Sequence, residues 1–316
     1  MNILKSLSFF FLLLLASNSA IAQDGDPLSE VKQEFQGLED PQQIINVANS
    51  LSLEGDAQNY AEYQKGAALL DLEKPQDAFQ VFSSIVERDP KNFFGHLGQG
   101  ITMMKVGQYS NCITVLTNAI EITDVDSLQA GAKFNRSTCH NRVGNKDLAL
   151  QDLQEAYATD TMDVAYINNL AMQYGDMEDP DEALRLVRRL VEIDPEFEGA
   201  FANLGFQLSE MERYKEAEDA FKKGLKDHPD SPYILNNYGY VLFKLGKTRD
   251  AKKSIKKSLR QMETNAYAYR NLALIALAED EFEDACENIQ LALQYGFTEL
   301  YGPEVKKLQE KHCLND

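Results

Sequence analysis

The chain has 316 residues and carries 31 lysines and arginines against 50 aspartates and glutamates, a net charge of −19 at pH 7. Such acidity keeps an extended molecule soluble and argues against nucleic acid or a general anionic membrane surface as partner. It decides nothing about the fold, which has to be read from the hydrophobic pattern.

Residues 1–22 read as a signal peptide. Lys5 supplies the positive start, residues 7–16 an apolar run, and Ala20-Ile21-Ala22 a small-x-small cleavage site. The apolar run is shorter than the ~20 residues needed to span a bilayer. No cysteine follows it to carry a lipid, so cleavage after Ala22 is expected, with Gln23 as the mature start. Losing Lys5 takes the mature chain to −20. Four cysteines in an exported chain suggest two disulfides.

Residues 23–58 read as a loose tail followed by two helices. Leu28, Val31, Phe35 and Leu38 share one face of the first. Asp40-Pro41 marks the start of the second, lined by Ile44, Ile45, Val47, Ala48 and Leu51. This pair lacks the small residues found further on and reads as an N-terminal cap or a degenerate repeat.

The pattern is clearest over 198–231. Phe201, Leu204, Leu208 and Met211 recur at helical steps, then Ala217, Ala220, Phe221 and Leu225 do so again after a polar turn. Gly205 and Ala217 are small where two helices would cross, and Pro229 closes the unit. Counting from Glu198, Gly205 falls at position 8, Tyr214 at 17, Ala217 at 20, Phe221 at 24 and Pro229 at 32. This resembles the tetratricopeptide repeat, a 34-residue helix–turn–helix. The same frame extends over 59–299 as seven repeats, 59–92, 93–129, 130–163, 164–197, 198–231, 232–265 and 266–299. The second runs three residues long, in the stretch TDVDSLQ, and the third has Ser137 where glycine is usual. Residues 300–316 read as a capping helix beginning at Pro303.

The resemblance implies an all-α chain, a right-handed superhelix (an α-solenoid) with a concave groove lined by the first helix of each repeat. It also places Cys112 beside Cys139, and Cys286 beside Cys313, on neighbouring helices, so those two disulfides are expected. Buried free thiols are the alternative.

No catalytic constellation stands out: there is no phosphate-cradling glycine loop, HExxH or GxSxG. The four histidines lack finger-like ligand spacing, so neither metal nor cofactor is expected, nor enzymatic activity. Two other features remain. Residues 222–260 hold eleven basic side chains against three acidic ones, densest at Lys252, Lys253, Lys256, Lys257 and Arg260. They form either a solvated convex face or a docking patch for an acidic partner.

The other feature is asparagine at position 6 of five successive repeats: Asn135, Asn169, Asn203, Asn237 and Asn271. Aromatic residues Tyr233, Phe206 and Tyr240 stand at nearby groove positions. These asparagines either bond helix to helix or resemble the ladders with which some family members hold extended peptides. The family's clamp for C-terminal carboxylates is not expected. Position 5 reads Phe134, Asn168, Ala202, Asn236 and Arg270, without lysine.

The reading is an exported scaffold, in the periplasm of a Gram-negative bacterium, that binds a protein or peptide segment in its groove without a membrane span. The alternative is an assembly subunit of an envelope complex docking through the basic patch.

Overall fold

The computed structural model describes residues 27–298 and 302–313, so the signal-peptide reading of 1–22 lies outside the described residues. Those residues form helices and turns with no strand. In chain order the helices are α1 (Pro27–Phe35), α2 (Pro41–Ser50), α3 (Gly55–Asp71), α4 (Pro75–Arg88), α5 (Phe93–Lys105) and α6 (Tyr109–Ile122). Then come α7 (Asp126–Arg142), α8 (Lys146–Thr159), α9 (Val164–Asp176), α10 (Pro180–Ile193), α11 (Glu198–Glu210) and α12 (Tyr214–Asp227). The last are α13 (Pro232–Lys244), α14 (Thr248–Gln261), α15 (Ala266–Ala278), α16 (Phe282–Gln294) and α17 (Glu304–His312).

Helices α3 to α16 follow the repeat frame, two to a repeat. Two first helices depart from it. α3 begins at Gly55 and α7 at Asp126, and each is 17 residues long where the others are 13. The surplus of the second repeat is therefore one extra turn at the start of α7, not a longer loop.

Why the pairs close is visible at positions 8 and 24. A Cβ on Gly205 would lie 2.5 Å from the Phe221 ring, and one on Gly66 equally close to Phe82. Both phenylalanines are fully buried. Ring burial of this kind stabilises by about 1.5–3 kcal/mol per side chain, and only a glycine opposite leaves room for it. Where position 8 is alanine, as at Ala171 and Ala273, position 24 shrinks to Val187 or Ile289.

The turn within each repeat is equally regular. Its position 15 has a left-handed backbone throughout: Glu73, Gly107, Gly144, Glu178, Glu212, Gly246 and Asp280. This ends the first helix and lets the next N–H reach back, as when Arg213 N donates to Leu208 O at 2.8 Å.

The chain divides into two compact units, one ending at Tyr166 and the other beginning at Ile167. In the first, a core passes from Ile45 through Phe82, Leu97 and Leu116 to Cys139. Val31 and Phe35 of α1 cover Ala57 and Ala61 of α3, giving its first helix a hydrophobic partner. In the second unit Leu242, Ile255, Leu272 and Ile275 form one cluster. Ile289, Phe297 and Val305 form another beneath α17. Each unit is a stack of helix pairs in which neighbours bury each other's faces, the α-solenoid arrangement. Each also has one disulfide, Cys112–Cys139 in the first and Cys286–Cys313 in the second.

Candidate functional site

The first helices of the second unit carry the features singled out in the sequence. On α13, Tyr233, Asn237, Tyr240 and Lys244 recur at four-, three- and four-residue steps and form one stripe. Ile234, Leu235, Val241 and Leu242 take the packed faces. Tyr233 is 38% exposed and Lys244 is exposed, while Asn237 and Tyr240 are half-buried. Helices α11 and α15 flank α13, and α11 adds Phe206 at 44% exposure.

The asparagines do not behave as five equivalent rungs. Asn203 Nδ2 donates to Asn168 Oδ1, and Asn271 Nδ2 donates to Asn236 Oδ1 at 2.9 Å. Both bonds join position 6 of one repeat to position 5 of the repeat before. They form where position 5 is asparagine. Repeat five has Ala202 there, so Asn237 finds no such acceptor. Its Oδ1 accepts from Asn236 Nδ2 at 3.2 Å, and its own Nδ2 has no acceptor among the described residues.

The expectation of a continuous peptide-facing ladder therefore needs correction. Asn135 and Asn271 are 4% and 1% exposed, out of reach of a docked chain. Asn135 Nδ2 turns back to its own helix, to Gly131 O at 2.8 Å. Asn169 is half-buried, as is Asn203. Asn237 is the rung left open.

Arg270 and Lys244 complete the site. The Arg270 guanidinium lies over two rings, 5.4 Å from the Tyr240 centroid and 5.5 Å from that of Tyr267. It donates to the Glu304 carboxylate at 2.5–3.2 Å and to Asn271 Oδ1 at 2.8 Å. A polar chain thus runs Glu304–Arg270–Asn271–Asn236–Asn237 from α17 across two repeats. The Lys244 ammonium lies over the Tyr214 ring at 5.6 Å and the Tyr240 ring at 5.8 Å. Sequence reasoning overlooked it, although position 13 of a first helix, one turn beyond Tyr240, was the signal.

The basic patch lies mainly on α14, where Ala251, Ser254, Ile255 and Ser258 face inward. Two of its members are neutralised locally. Lys252 pairs with Glu279 and Glu281, and Lys257 pairs with Asp230 at 2.9 Å. Lys253, Lys256 and Arg260 are exposed and make no ion pair among the described residues, and Arg249 joins them on the same stripe.

Two polar clusters elsewhere are paired largely within themselves. In the first unit Arg136 grips the buried Asp152 with two bonds, at 2.7 and 2.9 Å, and Thr117 at 2.9 Å. An open hollow of about 500 Å³ beside Arg188, Arg189 and Arg213 also holds Asp181 and Glu192, and Arg213 is bound twice to Glu216 at 2.7 Å. Among the described residues no three His, Cys, Asp or Glu side chains cluster to hold a metal ion. No helix among them is long and apolar enough to cross a membrane.

Residues 174–237 and 232–261 match family models described as tetratricopeptide repeat. Among solved structures, a tetratricopeptide repeat protein from Parabacteroides merdae is 18% identical and aligns over 80% of this chain and 99% of its own, with a TM-score of 0.67. The APC/C hetero-tetramer Cut9–Hcn1 is 18% identical over 85% of this chain and 51% of that one, with a TM-score of 0.63. YrrB, described as a TPR protein with an unusual peptide-binding site, is 16% identical over 59% of this chain and 95% of its own, with a TM-score of 0.47. At such identities a structural likeness speaks for the fold. With the helix pairs, the small-to-large packing and the matched models in hand, residues 174–261 are tetratricopeptide repeats and the chain has the fold of a tetratricopeptide-repeat scaffold.

Proposed function

We propose that this protein is an exported scaffold whose second unit docks an extended segment of a partner protein along α11, α13 and α15. One observation carries the reading. Asn237, between the half-exposed rings of Tyr233 and Tyr240, has an amide nitrogen with no acceptor among the described residues. A carboxamide in that state offers two donors to a passing backbone carbonyl, and the rings with Phe206 offer apolar contact. Each such hydrogen bond is worth about 0.5–1.5 kcal/mol net, so affinity rests on the aromatic stripe and the amide together.

Export is supported by the leader-like residues 1–22 and by disulfides that leave no cysteine free among the described residues. Such bonds persist in oxidising compartments such as the bacterial periplasm.

The test is selection of random dodecapeptides, displayed on phage, against the full mature chain. Binders are then measured on Asn237→Ala and on the double variant Phe206→Ala/Tyr240→Ala. Loss of binding with unchanged helicity supports the reading. Binders indifferent to all three substitutions place docking elsewhere and sink it.

A second reading rests on the α14 stripe Arg249, Lys253, Lys256 and Arg260, exposed and without ion pairs among the described residues. It makes the protein an assembly subunit that meets an acidic partner through its second helices. Co-purification abolished by salt and by charge reversal of Lys253 and Lys256, yet unmoved by Asn237→Ala, would favour it.

A further inference from the structure

Several cations of the second unit are answered from within. Lys222 and Lys247 both reach Glu218 at 2.7 Å. Lys252 and Lys257 have the carboxylates described above. Arg270 has Glu304. Lys244, like Arg249, Lys253, Lys256 and Arg260 on α14, makes no ion pair among the described residues, but it stands on the α13 stripe of Tyr233, Asn237 and Tyr240.

Its ammonium is placed, not loose. The Tyr214 and Tyr240 rings lie 5.6 and 5.8 Å away, within the range where a ring's negative face attracts a cation. Holding a flexible lysine in advance removes part of the ordering cost a ligand would otherwise meet.

The same Tyr240 ring also meets Arg270, at 5.4 Å. Lys244 Nζ and Arg270 Cζ are therefore no more than 11.2 Å apart, the two distances to the shared centroid added together. Arg270 shows what a cation in this aromatic setting takes. It holds a carboxylate, that of Glu304, with Nη2 to Oε1 at 2.5 Å. The local field agrees: residues 222–260 carry eleven basic and three acidic side chains although the chain as a whole is at −19.

We infer that the segment docked on α13 carries an internal aspartate or glutamate whose carboxylate is received by Lys244. The inference rests on the docking reading above and adds the ligand's chemistry to it. Spacing makes it more specific. Tyr240 and Lys244 are one helical turn apart, about 6 Å along the axis at 1.5 Å per residue. An extended peptide advances about 6.6 Å over two residues and returns its side chains to the same face. A segment lying along this stripe would thus place an apolar or aromatic residue on Tyr240 and an acidic residue two positions away on Lys244.

The experiment pans the random dodecapeptide library on the full mature wild-type chain and on K244E, and measures selected synthetic peptides on wild type and K244M. The expected result is enrichment of aspartate or glutamate two positions from an apolar residue, lost on K244E. A selected peptide should weaken about threefold or more on K244M, the scale of an exposed ion pair. Changing that peptide's acidic residue to its amide should cost the same and no more when both changes are combined. Wild-type binders without acidic enrichment, or affinities that K244M does not move, overturn the inference while leaving peptide docking intact. Finding no binder that Phe206→Ala/Tyr240→Ala weakens overturns both.

Discussion

Asn271 donates its amide to Asn236 across two repeats, at 2.9 Å, with both side chains at 3% exposure or less. A residue expected to read a ligand is instead part of the stack. Removing it strands the Asn236 oxygen in the interior, and an unsatisfied buried acceptor costs about 1–3 kcal/mol. Asn271→Ala should therefore lower the unfolding free energy measured by urea titration by that amount. Asn237→Asp, which keeps the oxygen that accepts from Asn236 and removes only the amide nitrogen that has no acceptor among the described residues, should stay within about 0.5 kcal/mol. Equal losses in the two urea titrations would show that Asn237 is structural too and remove it from the docking stripe.

The helix pairs were legible because a 34-residue period repeats the same steric bargain at positions 8 and 24, and no single repeat has to be perfect. The extra turns of α3 and α7 were not. Nothing in the sequence TDVDSLQ distinguishes a longer loop from a longer helix, and the neighbours in the stack decide. The site was legible in part. Asparagine at position 6 was plain, but its role depends on position 5 of the preceding repeat, a partner 35 residues away. Asn168, Ala202 and Asn236 had been read only for charge, so their alternation as acceptors went unused. Lys244 escaped because only Tyr240 stands one turn away on its own helix, while Tyr214 lies on α12 and meets it only in the fold.

The packing of Gly205 gives a steric test. Its missing Cβ would lie 2.5 Å from Phe221 Cε1, closer than any relaxed contact. Gly205→Ala should destabilise by about 1–3 kcal/mol, the cost of overpacking a filled interior. Phe221→Leu alone should also destabilise. The double variant should be more stable than the two losses added together, because the smaller side chain relieves the clash. Strict additivity in denaturant titrations would mean that the two residues do not share this space.

His140 sets a pH dependence in the first unit. It is 7% exposed, its Nε2 lies 3.9 Å from an Asp152 oxygen, and its Nδ1 is buried with no partner. Burial holds its pKa below the ordinary 6.5, Asp152 opposes that shift, and Arg136 adds to it. The unfolded chain therefore binds the proton more readily than the folded one. By linkage, stability is steady above about pH 6.5 and falls as the pH drops through the window between the unfolded and folded values. His140→Gln should flatten the stability profile between about pH 7 and 5.5 relative to wild type. Parallel profiles for the two proteins would show that His140 titrates alike in both states.

The Cys286–Cys313 bridge should govern the terminal helix. It joins α16 to the end of α17 across a sequence separation of 27. Closing a loop of that size contributes about 3 kcal/mol by the chain-entropy argument. Helix α17 has nine residues, too few to persist alone in water. What holds it besides the bridge is the buried Val305 and the Glu304–Arg270 pair. In Cys313→Ser, residues 304–312 should exchange amide hydrogens faster by about two orders of magnitude. Trypsin should then cut at Lys306 and Lys307 before the rest of the unit opens. The polar chain from Glu304 to Asn237 begins on this helix, so peptide affinity on α13 should fall as well, by a smaller factor. The Cys112–Cys139 unit is the internal control, since exchange within residues 109–142 should not change. If reduction or Cys313→Ser leaves α17 as protected as in the oxidised chain, Val305 and Glu304 suffice to dock it and the bridge is dispensable to the site.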